Sequence, residues 1–181
     1  MRIKKLILLL LISFPSAGQT SIPVDEGSSI VFQIRNFGLL VEGTFTGIRG
    51  NIIFDPANVD KCAFDVSIDA GSIDTGIALR NQHLRKEKYL DTETYPAIRF
   101  VSEKLSFDQL SNKWIVSGHL TIKKTTRKIS FPFTVMQKQE SHIFKGGFSI
   151  NRHDFRIGES SFSMGDEVAI KLQVMTGPVK F

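Results

Sequence analysis

Alternation of apolar and polar residues with a period of two runs through most of this chain, and it is the feature that most limits its fold. Ile30, Phe32 and Ile34 alternate with Ser29, Val31, Gln33 and Arg35. Ile48, Gly50, Ile52 and Phe54 form a second run, and Cys62, Phe64, Val66, Ile68 and Ala70 a third. Trp114 to Ile122, Ile129 to Val135, Phe144 to Ile150 and Val168 to Val174 repeat the pattern. Each run describes a half-buried strand with one dry face and one wet face. Turn signals at Asp55-Pro56-Ala57-Asn58, Ser111-Asn112 and Gly165-Asp166 separate the runs, so antiparallel hairpins are the expected connections. Pro132, inside a run, predicts an edge or a bulge.

One stretch breaks the rhythm. Residues 77–88 (IALRNQHLRKEK) lack alternation and are rich in helix formers, with Asp74 or Thr75 placed to cap the start. The expected architecture is all-β: an antiparallel sheet of about eight strands with one short helical insertion at about 77–88. An open sheet of that size exposes its edges, and curling into a barrel removes them.

The first residues read as a secretory signal. Arg2, Lys4 and Lys5 precede the apolar run Leu6–Phe14, and Ser16-Ala17-Gly18 supplies small residues for cleavage. The run is too short to span a bilayer, and no second such run follows. The expected organisation is therefore a leader at 1–18 and one domain at 19–181, delivered to the periplasm or secreted. Three of the 23 basic side chains fall in the leader, so the rest nearly balance the 18 acidic ones. That balance gives no argument for nucleic-acid binding. The single cysteine, Cys62, excludes an internal disulfide and any CxxC motif.

The chain holds 15 Phe against 2 Tyr and 1 Trp. Phe has no polar tip to satisfy and suits a dry interior. A barrel of this size either fills with side chains or holds one ligand. Gly50, Gly118 and Gly146 share the apolar parity, and on the cavity reading they open space among larger residues. On the plainer reading they mark bends in a packed core.

The order of motifs resembles the YceI-like family over about Val24 to Val174. Carrying it are Phe32-Gln33-Ile34-Arg35 with Gly38 and Gly43-Thr44-Phe45, then Gly50-Asn51-Ile52-Ile53-Phe54-Asp55-Pro56. Ser67 to Thr75 (SIDAGSIDT), Arg80 to Arg85 (RNQHLR), Tyr89-Leu90-Asp91 and Tyr95 to Phe100 (YPAIRF) follow. Gly118 to Ile122, Thr126-Arg127, Asn151-Arg152 and Asp154-Phe155 complete the order. The resemblance implies an extended, lipocalin-like antiparallel β-barrel in an exported bacterial protein, with a long isoprenoid tail held in an internal tunnel. Three positions depart from the family pattern: Gly27 where His is common, Lys123-Lys124-Thr125 where the turn usually has Gly, and Arg156 where Gly usually follows Asp154-Phe155.

The expected tunnel lining is Phe32, Ile34, Phe45, Ile52, Phe54, Phe64, Val66, Ile68, Phe100, Leu120, Ile122, Phe131, Phe133, Phe148, Ile150, Ile170 and Leu172. Arg80, His83 and Leu84 share one face of the expected helix, with Glu87, and could meet a head group or form a lid. Basic clusters at Arg80–Lys88 and Lys123–Lys128 could meet anionic lipid, or simply be solvated. No metal site is expected, because the histidines are scattered, and alternation would send His153 and Asp154 to opposite faces. Catalysis has as little support: there is no GxSxG motif, and Cys62 has inward parity. Asp65 and Asp69 would stand about 13 Å apart on one strand, too far for a carboxylate pair. The expectation is a binding protein for a long-chain apolar lipid, with no cofactor beyond that lipid. It needs no nucleic acid and has no integral membrane segment after leader removal. The rival readings are a packed interaction module and a lipid-modifying enzyme using His83.

Overall fold

The structure is a computed structural model that describes residues 20–138 and 141–177, so the expected leader lies outside the described residues. Ten strands form one antiparallel sheet: β1 (Thr20–Ser21), β2 (Pro23–Asn36), β3 (Leu39–Phe45), β4 (Arg49–Ile53), β5 (Ala63–Asp69), β6 (Ala97–Asp108), β7 (Lys113–Ile122), β8 (Thr125–Lys138), β9 (Ser141–Asn151) and β10 (Met164–Thr176). Their order is β1-β4-β5-β6-β7-β8-β9-β10-β2-β3. The expected barrel is present as this curled sheet, with two strands more than alternation alone suggests. β1 is two residues long, and β3 opens with the unbroken apolar run Leu39-Leu40-Val41.

The sheet closes on itself through turns and a side chain. The Asp25 carboxylate on β2 accepts from the N–H groups of Gly47 and Ile48 at 3.0 and 2.9 Å, which pins the β3–β4 turn to β2. Thr44 on β3 exchanges backbone hydrogen bonds with Asp74. The ladder between β8 and β9 is partial: it runs from Lys138–Ser141 to Phe133–Gly146 and stops there. Pro132 sits at that stop, as its missing N–H requires, and β8 before it pairs with β7 alone among the strands.

The glycines do not open space in the way their parity suggests. A Cβ on Gly50 would meet the Asp65 carbonyl oxygen at 2.0 Å, and one on Gly118 would meet the Val101 oxygen at 2.3 Å. A Cβ on Gly146 would stand 3.0 Å from the Pro132 oxygen, which is tight as well, although this glycine does line the interior space. Neighbouring backbone takes the volume a side chain would have used, so these residues let a strongly coiled sheet pack strand on strand. Gly118 faces the irregular register between Ser102 and Lys104 on β6.

The helix α1 spans Ala78–Arg85, shorter than the composition suggests. The chain turns at Lys86, whose N–H bonds the His83 carbonyl. Neither Asp74 nor Thr75 caps it from the N-cap position, which is Ile77. Instead Asn81, buried in the helix, reaches back: its Oδ1 accepts from the Thr75 N–H and hydroxyl, and its Nδ2 donates to Asp74. Arg152–Phe155 forms a 3-10 turn where strand alternation does not apply, so the parity argument for His153 and Asp154 fails there.

Register places the β2–β3 tip, α1 with its flanking loops, the β7–β8 turn and residues 151–164 at one end of the barrel. Residues 54–62, the turn after β6, and the Lys138 and Ser141 ends of β8 and β9 lie at the other.

A candidate lipid cavity inside the barrel

Two apolar cavities lie along the barrel interior, about 180 Å³ toward the α1 end and about 130 Å³ deeper. They share a waist of Ile30, Ile98, Leu120 and Phe148. Strand parity places these walls: Phe100 stands opposite Leu120 across β6 and β7, and Ile170 opposite Phe32 across β10 and β2. Of the residues singled out from sequence, Phe32, Ile34, Phe45, Ile122, Ile150 and Ile170 line the outer cavity. Ile52, Phe64, Val66, Ile68, Phe100, Phe131, Phe133 and Leu172 line the inner one, and Leu120 and Phe148 face both.

Phe54 lines neither cavity. It lies past the end of β4, in the aromatic cluster that stops the far end of the barrel. Its ring packs edge-on against Trp114 at 5.0 Å, Phe144 at 5.5 Å and Phe133 at 6.4 Å. His142 joins this cluster, 6.0 Å from Phe54 and 5.9 Å from Phe144, and burial pushes its pKa down.

The outer cavity ends on loops that carry no strand period. Ile73, Leu90 and Ile157 close it, together with Tyr89, Arg152 and Met164 at the start of β10. Among the helix residues, Arg80 and Leu84 line the cavity and His83 is exposed away from it. Two more residues of helix would be needed for Glu87 to share their face, and the helix has ended before it. Arg80 is held by Thr75: Nε donates to the hydroxyl at 2.8 Å and Nη2 to the carbonyl at 2.7 Å.

Arg152 is the residue that pattern reading passed over. It is 1% exposed and spends its guanidinium on three carbonyls, those of Ile157, Glu159 and Gly165, and on the Asp166 carboxylate at 3.0 Å. His153 bonds the same Asp166 oxygen at 2.7 Å. That bond first, and Arg152 with it, holds the Asp166 carboxyl below its ordinary range. The signal in the sequence was the Asn151-Arg152 pair ahead of the 3-10 turn, and its meaning depends on a loop fold that no periodicity encodes. The two basic clusters also meet, because Lys123 Nζ donates to the Glu87 carbonyl at 2.8 Å.

The chemistry of the walls is simple. No buried side-chain nitrogen or oxygen among the described residues lacks a hydrogen-bond partner, and no cluster of metal-type ligands occurs among them. Cys62 is half-buried, bonded to the backbone of Asp55, and burial raises its pKa, so its thiol is held in the protonated form. Asp65 is taken by Arg99 in a two-pronged pair at 2.8 and 2.6 Å. The arrangement can surround an apolar chain, and among the described residues that line the two cavities no nucleophile is paired with a base.

Residues 23–176 match the YceI-like domain family. A UPF0312 protein of Photorhabdus laumondii is 32% identical over 124 residues, 66% of this chain and 64% of that protein. One of Shewanella denitrificans is 31% identical over 141 residues, 77% of this chain and 70% of its own length. The chain thus spans just under two thirds of the Photorhabdus relative's length. Among solved structures, Burkholderia cenocepacia BcnA superposes with a TM-score of 0.76 at 28% identity, covering 83% of this chain and 96% of its own. A Saccharophagus degradans domain described as polyisoprenoid binding superposes at 0.70 with 16% identity, covering 90% of this chain and 99% of its own, which shows a common fold. With the match running from the first long strand to the last, the chain belongs to the YceI-like family.

Proposed function

We propose that this protein is an exported lipid-binding barrel that takes up the tail of a long-chain, isoprenoid-type amphiphile and does no chemistry on it. The observation that carries this reading is the pair of adjoining cavities, almost wholly apolar, in line along the barrel and joined at Leu120 and Phe148. A tail threaded from the outer cavity into the inner one loses water along its length. Each buried methylene contributes roughly 0.8 kcal/mol, so length alone gives affinity. The family supports the reading, as does the polyisoprenoid-binding description of the Saccharophagus domain. The basic start and apolar run at residues 2–14 support delivery to the periplasm or the medium. The protein then serves to bind, store or carry the lipid, which leaves unchanged.

The test is native mass spectrometry of protein purified from an expressing bacterium, followed by lipid extraction and titration with prenyl lipids of fixed head group. Affinity should climb with chain length to a plateau. Length-independent binding, or turnover of the lipid, would overturn the proposal.

A further inference from the structure

We infer that the α1 end of the barrel docks on a lipid bilayer through an apolar collar around the outer end of the cavity. The inference rests on the lipid-binding reading above and adds where the tail is exchanged. Three segments build the outer end of the cavity: the β2–β3 hairpin through Asn36 and Val41, the helical insertion through Thr75, Arg80 and Leu84, and the loop that runs into β10 through Ile157, with Met164 as the strand's first residue. The same three segments turn large apolar side chains outward. Phe37, Leu39 and Leu40 are 80%, 73% and 59% exposed, Ile77 and Leu79 are 52% and 63% exposed, and Phe162 is fully exposed. The Phe37 N–H donates to the Ser163 carbonyl, so the hairpin tip and the Phe162 loop lie side by side.

Folding does not require these residues. Phe37 and Gly38 form the two-residue tip of the hairpin, with φ of 49° and 76°. Asn, Asp or Gly suit the first of these positions, and a bulky aromatic there is unfavourable. An exposed Phe in a strained turn position thus burdens the folded state without adding to its core. Exposed apolar residues at the far end, such as Phe107 and Leu110, border no cavity, because the aromatic cluster fills that end.

A bilayer is the occupant that fits. The collar surrounds the loops that close the outer cavity rather than forming a continuous flat face, and directly behind those loops lies a cavity suited to a lipid tail. A tail crossing from bilayer to cavity under a docked collar never exposes its methylenes to water, which removes the main barrier to transfer. Exposed cations stand at the same end: Lys86, Lys124 and Arg156 have no carboxylate within ion-pair distance among the described residues. They complement the anionic head groups of a membrane surface.

The experiment is vesicle flotation of the protein as the cell delivers it, with phosphatidylcholine vesicles and with vesicles containing phosphatidylglycerol. The comparison variant carries Phe37→Ser, Leu39→Ser, Leu40→Ser and Phe162→Ser, none of which lines the cavity. Vesicle partitioning should fall at least tenfold in this variant. Uptake of a prenol delivered in detergent should stay at the wild-type level. In a second measurement, Leu39→Trp should be quenched by acyl-chain-brominated lipid while Trp114, at the far end, is not. Unchanged flotation of the four-fold variant overturns the inference, as does a wild type that floats with neither vesicle. Conversion of a wild-type dimer to a monomer in the variant, without vesicle binding, overturns it in favour of a second copy. Failure of the lipid-binding reading has a separate signature: no prenol uptake by either protein, whatever the flotation.

Discussion

Phe131 and Phe148 stack with ring centroids 4.8 Å apart and planes 30° from parallel, across the place where β9 leaves β8. The backbone ladder stops at Phe133–Gly146, and two residues further along each strand these rings stand where the next pair would. Phe148 faces both cavities. At this point the wall of the barrel is side chain rather than hydrogen-bonded backbone. Phe148→Ala should therefore open the wall as well as enlarge the cavity. A loss of about 3 kcal/mol is expected in denaturant melts, together with uptake of bulkier tails than the wild type accepts.

Leu120 sits at the waist between the two cavities and is 6% exposed. Leu120→Trp should fill the waist at an overpacking cost of about 1 to 3 kcal/mol. The plateau in a prenyl-length titration should then move to shorter chains, with short-chain affinity retained.

Phe133 is 3% exposed on the inner face of β8, and Thr134 next to it is exposed on the outer face. Phe133→Asp buries a carboxylate without a partner and should cost more than about 4 kcal/mol, abolishing cooperative melting. Thr134→Asp should change stability by less than about 0.5 kcal/mol. Equal effects in thermal melts would refute the register.

Arg156 is exposed and ends the 3-10 turn at φ 56°. A side chain is disfavoured in that left-handed region, and glycine is not. Arg156→Gly should stabilise the fold by about 1 kcal/mol, read as a higher melting temperature.

Burial against Phe54 and Phe144 lowers the His142 pKa. The unfolded chain then binds the proton more readily than the native one. The stability tied to the neutral ring is present above the unfolded value and is lost as pH falls toward the folded one. His142→Phe should remove this dependence. Between about pH 7 and pH 5 the wild type should lose stability relative to the variant, as chemical denaturation at stepped pH will show.

Strand parity made the barrel walls readable in advance. Leu120 and Ile122 could be assigned inward and His119 and Thr121 outward because each face of β7 meets a different solvent. The ends of the cavity were not readable. Ile73, Tyr89 and Ile157 close it from loops, where direction depends on tertiary contacts such as the Gly158 N–H to Lys88 carbonyl bond. β3 escaped alternation because Leu39 and Leu40 are both exposed. The helix was drawn too long because Lys86 to Lys88 are good helix formers whose backbone is claimed by a turn. The glycines misled because parity shows which face a residue occupies and not whether a neighbouring strand already fills that volume.

The pairing of β2 with β10 also governs how the chain can fold. Ile30 lies opposite Leu172 and Val24 opposite Met175, so one of the earliest strands needs one of the last as its neighbour. A nascent chain cannot complete the sheet until residues 164–176 have emerged. Contacts this distant along the sequence make for slow folding. The polypeptide thus acquires its interior only once residues 164–176 are available to pair with β2.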